Sequence, residues 1–190
     1  MSDPQRTTDH EQLTLIQHAR RGDQSAWATL IAHHQEAVFR LAYLLLGEAD
    51  EAQDVAQETF IRAFRALSRF AHARPLRPWL LRITTNLAYN RRRSVGRYWA
   101  AVQRFFGAAA EPPTTASAEE SLPAVEAQSL WQAVQRLNQA DQEIIYLRYF
   151  LELSVAETAE AAGIAPGTVK SRLSRALARL RQVEEQEIPG

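Results

Sequence analysis

Apolar residues recur along this chain at three- and four-residue spacing, the period of helices that bury one face. Leu13 to Ala19 opens the pattern. Ala26 to Leu46 continues it, with Trp27, Leu30, Ile31, His34, Val38, Leu41 and Leu45 in register. Gly47 is placed to end that helix and Asp50 to cap the next. From Asp50 to Leu67 one face collects Val55, Ala56, Thr59, Phe60, Ala63, Phe64 and Leu67. Ser68 to Pro78, broken by Pro75 and Pro78, reads as a loop, and a further helix runs from about Trp79 to Arg93. No alternating pattern suggests a strand, so the chain is predicted to be all-α.

Ala108 to Leu122 (AAAEPPTTASAEESL) is poor in bulky apolar residues and rich in Pro, Ser, Thr and Glu. Such a segment buries too little surface to offset its ordering entropy, which predicts a flexible acidic linker. Helical periodicity resumes near Val125 with Leu130, Val134 and Leu137. Asn138 then caps a helix through Leu151, with Asp141 in its first turn. The expected organisation is a disordered N-terminus (1–12), two small helical domains (13–104 and 124–183) joined by the linker (105–123), and a tail (184–190).

The densest local signal is Leu153 to Arg181, LSVAETAEAAGIAPGTVKSRLSRALARLR. Ser154 to Glu157 forms a capping box, Gly163 suits a sharp turn, and Pro166 suits a first helical position. In the second helix Val169, Leu173, Leu177 and Leu180 form the buried stripe. Thr168, Lys170, Ser171 and Arg172 occupy its first turns, with Ser174, Arg175 and Arg179 beyond. This is the layout of a helix-turn-helix, whose second helix enters the DNA major groove. Its early residues are placed for base edges, and Arg175 and Arg179 for phosphates or flanking bases.

Composition narrows the reading. The 190 residues are 46% hydrophobic and 23% charged, an ordinary balance for a chain with a core. The first ten residues contain no apolar run, and Leu41 to Leu46 is too short to span a bilayer. With no cysteine there is no disulfide and no thiolate chemistry. An intracellular, soluble protein is expected.

The formal net charge of zero hides a segregation. Arg62 to Arg104 contains eleven arginines and no acid, and Thr168 to Arg181 contains five bases and no acid. Residues 1–61 carry ten acids against four bases, and 105–163 nine against two. Two cationic blocks in an otherwise acidic chain suit contact with a polyanion at two places.

Within the first block Trp79, Arg82, Asn86, Asn90 and Arg93 share one helix face, with Arg77 just before it. Such a face could stack on unpaired bases, bond base edges and hold phosphates, as melted DNA or RNA requires. Trp79 is as well placed for the core. The preceding helix differs: Asp50, Glu51, Asp54, Gln57 and Glu58 make an acidic outer face beside Ile61. That face would repel nucleic acid and suits a basic protein partner or plain solvation.

A stand-alone helix-turn-helix regulator would use the C-terminal unit alone; it needs neither the acidic face nor the arginine block. An enzyme is not indicated. There is no nucleophile–base pair, phosphate loop or metal-ligand spacing, and the five histidines form no pattern beyond His33-His34.

Taken together, DEAQDVAQETFIRAFRAL (50–67), RPWLLRITTNLAYNRRR (77–93), DQEIIYLRYFLELSVAETAEAAGI (141–164) and APGTVKSRLSRALARLR (165–181) resemble the extracytoplasmic-function (ECF) sigma factors of the sigma-70 family, promoter-specificity subunits of bacterial RNA polymerase. The resemblance spans about Ala26 to Arg181. It implies a region 2 helical bundle and a region 4 helix-turn-helix. Asp50, Asp54, Gln57, Glu58 and Ile61 would dock on the clamp helices of the largest polymerase subunit, and region 4 on the flap of the second. Arg77, Trp79, Arg82, Asn86, Asn90 and Arg93 would meet the melted minus-10 element. Asn90 stands where many members carry an acid. Thr168, Lys170, Ser171, Arg172, Ser174, Arg175 and Arg179 would read the minus-35 duplex. The linker would thread the polymerase cleft toward the RNA path. An anti-sigma factor is an implied partner, no cofactor or membrane insertion is implied, and the location would be cytoplasmic.

Overall fold

A computed structural model describes residues 4–70, 74–106 and 130–187, with side chains placed at 11–70, 74–94 and 130–182. The regular elements there are all helical. They are α1 (Pro4–Arg20), α2 (Gln24–Leu46), α3 (Ala49–Ala66), a 3-10 turn (Leu67–Arg69), α4 (Leu76–Phe106), α5 (within 130–136), α6 (Gln139–Ile145) followed by a π-helical turn (Tyr146–Phe150), α7 (Val155–Ala162) and α8 (Pro166–Glu187). The chain divides into two compact units, Met1–Arg91 and Arg92–Gly190, a break that falls inside α4. Nearly all of the expected linker (105–123), and the expected helix start at Val125, lie outside the described residues.

In the first unit the apolar stripes of α1, α2, α3 and early α4 meet. Ile16, Leu30, Val38, Phe60, Leu67, Phe70, Leu76 and Leu80 are all buried in one cluster. Each such side chain contributes about 1.5–3 kcal/mol on leaving water. His34 belongs to the buried stripe of α2, as its spacing predicts. Gly47 ends α2 with φ 79°, the left-handed conformation in which a Cβ would be strained.

Several boundaries differ from the sequence expectation, each for a local reason. Helix α1 begins at Pro4, so residues 4–12 are helical and not irregular; proline suits a first turn, where its missing N–H costs nothing. The cap of α3 is Glu48, not Asp50. Its carboxylate accepts from Glu51 N at 3.0 Å, which leaves Asp50 in the first turn, where a negative charge is also favoured. Helix α4 begins at Leu76 rather than Trp79, because Pro78 then falls in the first turn, whose N–H groups have no helical acceptor. It continues past Arg93 to Phe106, since arginine is a good helix former and no proline intervenes before Pro112.

The second unit is built around α6, α7 and α8. Ile144, Ala159 and Val169 are buried together, with Val155, Ile164 and Leu173 packed at their edge. Asn138 caps α6 through a 3.0 Å bond from Asp141 N. The expected helix through Leu151 widens after Ile145, where Leu151 N donates to Tyr146 O across five residues. Tyr146 is fully buried there and packs against Trp131 and Phe150, with ring centroids 5.9 and 5.7 Å away.

Candidate nucleic-acid and polymerase interfaces

The helix-turn-helix is set by local chemistry. Ser154 N donates to Glu157 Oε2 at 2.8 Å and Glu157 N donates to Ser154 Oγ at 3.2 Å, so both halves of the capping box are present. Gly163, at φ 67°, turns the chain, and Pro166 opens α8. Val169, Ala176 and Leu180 are buried, and Leu173 and Leu177 are half-buried; this matches the predicted stripe with Ala176 added. Lys170, Ser171, Ser174 and Arg175 are exposed, and Thr168 and Arg172 half-buried at the flank of the stripe. Ser171 Oγ donates to Thr168 O at 3.1 Å and Arg175 Nε to Ser171 O at 3.3 Å, so neither is committed to another element by these bonds. Arg179 differs. Its guanidinium lies 2.6 Å from the Oδ2 of buried Asp141, on α6.

On α4, Leu80, Leu81, Thr84, Thr85, Leu87 and Ala88 are buried, which turns Arg82, Asn86, Asn90 and Arg93 outward together as the spacing predicts. Trp79 is half-buried, its ring 4.6 Å from that of Phe70 and packed against the first unit's core. Core packing thus uses part of the indole. Arg77 is half-buried. Its charge helps, after burial and after His33, to hold the His34 imidazole down at about pKa 4.

On α3, burial of Ala52, Val55, Ala56, Thr59, Phe60 and Ala63 leaves Asp50, Asp54, Gln57 and Ile61 exposed, with Glu51 and Glu58 half-buried. Glu58 pairs with Arg62 at 2.6 Å, one turn on. Arg91, reaching from α4, lies 2.7 Å from Glu51 and 3.4 Å from Asp54. The hydrogen bond to Glu51 and its charge, with a smaller contribution from Asp54, raise the Arg91 pKa. Sequence reasoning missed this link because Arg91 was one of eleven similar arginines, and only the packing of α4 on α3 selects it.

A second feature escaped the sequence reading. The C-terminal unit holds an apolar groove of about 510 Å³ lined by Leu130, Trp131, Val134, Tyr149, Phe150 and Leu177, among others. Leu130 and Tyr149 are 44% and 54% exposed at its rim. Apolar positions in excess of one helical stripe, Tyr149-Phe150 above all, were the available signal. Among the described residues no cluster of three metal-ligating side chains occurs, and no helix is long and apolar enough to cross a membrane.

A capped helix-turn-helix with a basic outer face, in a chain with a second arginine-rich helix, defines a nucleic-acid-binding transcription protein. Residues 30–98 match Sigma-70 region 2 and residues 127–180 match Sigma-70 region 4. The ECF RNA polymerase sigma factor SigW of Bacillus subtilis is 33% identical over 174 residues, 88% of this chain and 93% of its own. Two solved structures are similar in fold. CnrH, in complex with the cytosolic domain of CnrY, superposes with TM-score 0.68 at 25% identity, covering 94% of this chain and 99% of its own. The sigma factor RpoE of Bartonella quintana, in complex with the anti-sigma factor NepR, gives TM-score 0.65 at 28% identity, covering 85% and 98%. The chain belongs to the ECF sigma factors of the sigma-70 family, the promoter-recognition subunits of bacterial RNA polymerase.

Proposed function

We propose that this chain directs promoter recognition through three separate surfaces. The outer face of α3, with Asp50, Asp54, Gln57, Glu58 and Ile61, docks on the clamp helices of the largest polymerase subunit. The outward face of α4, with Arg82, Asn86, Asn90 and Arg93 and the exposed part of Trp79 and Arg77, receives the melted minus-10 strand. The outer face of α8, with Thr168, Lys170, Ser171, Arg172, Ser174 and Arg175, reads the minus-35 duplex. The apolar groove beside α5 and α8 suits the flap of the second subunit.

One observation carries this reading: both family segments occur in order, and each contains an exposed basic helix face. A chain that only bound duplex DNA would need the second unit alone. One of the two solved neighbours is a sigma factor in complex with an anti-sigma factor, which supports an anti-sigma partner here as well. The chain contributes binding and strand selection; the polymerase supplies the chemistry, in the cytoplasm. Run-off transcription with core polymerase on genomic fragments tests the reading. Discrete transcripts that require this chain are expected, and DNA binding without any polymerase-dependent transcript would favour a stand-alone regulator.

A further inference from the structure

The three arginines in the middle of α8 do not share one environment. At 100° per residue, Arg172 and Arg179, seven residues apart, lie within about 20° of each other beside the buried stripe, while Ser171 and Arg175 point further outward. From that flank the Arg179 guanidinium crosses to α6, where Nη1 lies 2.6 Å from Oδ2 of Asp141. The Asp141 side chain is 7% exposed. The same Oδ2 accepts Asn138 Nδ2 at 2.7 Å, while Asn138 Oδ1 accepts Asp141 N at 3.0 Å. The carboxylate therefore has two donors, one from the cap of its own helix and one from the recognition helix.

The asymmetry of this ion pair, with the Arg179 side chain 51% exposed and the Asp141 side chain 7%, decides what Arg179 does. Removing the arginine strands the Asp141 carboxylate in the interior, whereas a pair exposed on both sides can open freely. Arg179 could turn to a phosphate only by leaving Asp141 behind. The buried stripe Val169, Ala176 and Leu180 turns one side of α8 toward the core, and apolar burial by itself has no preferred direction. Arg179 sits ten residues beyond Val169, about 15 Å along the axis. Its charge-assisted hydrogen bond to α6 is short and directional, and so favours one rotation of the helix. Base edges are read at hydrogen-bond distance, so a small rotation of α8 misplaces Lys170, Ser171 and Arg175 together.

We infer that Arg179 is a positioning residue, not a DNA contact: with Asp141 it sets the rotation at which α8 presents its outer face to the minus-35 duplex. This rests on the proposed reading of α8 as the duplex reader.

The test uses holoenzyme reconstituted with the full-length chain, and a promoter duplex selected by the parent holoenzyme from a randomised library. Affinity is measured against salt, well below the melting temperature of each variant. Arg179→Ala and Asp141→Asn should each lose affinity by about 5- to 150-fold, the worth of one good base contact, with the salt slope unchanged. Arg179→Lys, which keeps the charge, should recover part of it and covers the case in which Arg179→Ala fails to fold. The buried Asp141 cannot touch DNA, so its matching loss is the decisive arm. If Arg179→Ala lowers the slope by about one phosphate (roughly 0.9), or if Asp141→Asn binds as well as the parent, Arg179 is a contact and the inference falls. Full affinity in folded Arg179→Ala would reduce the pair to a stability role and also overturn it. Failure of the parent holoenzyme to select any duplex would overturn the promoter reading itself, and this inference with it.

Discussion

The guanidinium of Arg91, on α4, holds the carboxylate of Glu51, on α3, at 2.7 Å and reaches Asp54 at 3.4 Å. The helix proposed to meet DNA thus neutralises part of the helix proposed to meet polymerase. Both carboxylates and the arginine are substantially exposed, so the pair adds little stability, on the order of 0–1 kcal/mol. Its effect is electrostatic. Arg91→Ala should leave the fold intact and speed association with core polymerase at low salt, because the acidic face becomes more negative. The difference should shrink as ionic strength rises. Stopped-flow association across a salt series checks this; an unchanged or slower low-salt rate would sink it.

Asp54 is exposed, its side chain 64% accessible, and its carboxylate faces Arg91 at 3.4 Å. Asp54→Arg should therefore leave thermal unfolding within about 0.5 kcal/mol of the parent, the usual range for surface changes. Placed at the centre of the acidic face, it should abolish holoenzyme assembly. Native gel shift with core polymerase reads the outcome directly, and normal assembly would remove this face from the docking site.

Arg175 is exposed and Arg172 flanks the buried stripe, both in the first half of α8. Arg172→Ala and Arg175→Ala should each weaken binding to the minus-35 duplex by about 1–3 kcal/mol if each meets a base edge. Discrimination should relax at one base pair for each variant. Parental transcription from both would refute the assignment.

His34 is buried in α2, and burial, with His33 and Arg77 nearby, lowers its pKa from 6.5 to about 4. The unfolded chain binds a proton between those values and the folded chain does not. Stability is therefore complete above about pH 6.5 and falls as pH drops toward 4, by about 3 kcal/mol at most. His34→Leu should flatten this dependence for the N-terminal unit. A melting-temperature series from pH 4 to 7.5 on both proteins measures it, and equal slopes would show that other groups carry the acid sensitivity.

Much of the helix-turn-helix was legible because its signals are local. A capping box, an αL glycine and a first-turn proline each act within four residues, and Ser154, Gly163 and Pro166 do what their neighbours dictate. The same holds for Gly47 and for the buried stripes. The outward face of α4 followed from spacing alone, since a 3.6-residue period that buries Leu80 and Leu87 must expose Asn86 and Asn90.

The pairings between helices were not legible. Charge density identifies an arginine-rich block, but a guanidinium reaches several ångströms in any direction, so sequence cannot say which arginine meets which acid. Only the packing of α4 against α3 decided that Arg91 closes on Glu51 and Asp54. Likewise only the approach of α8 to α6 turned Arg179, whose place in the sequence suits phosphates or flanking bases, toward Asp141. Helix existence and exposed faces depend on intervals of a few residues and were determined by the sequence itself. The partners of charged side chains depend on distances between segments 37 to 40 residues apart, and those were decided when the helices packed.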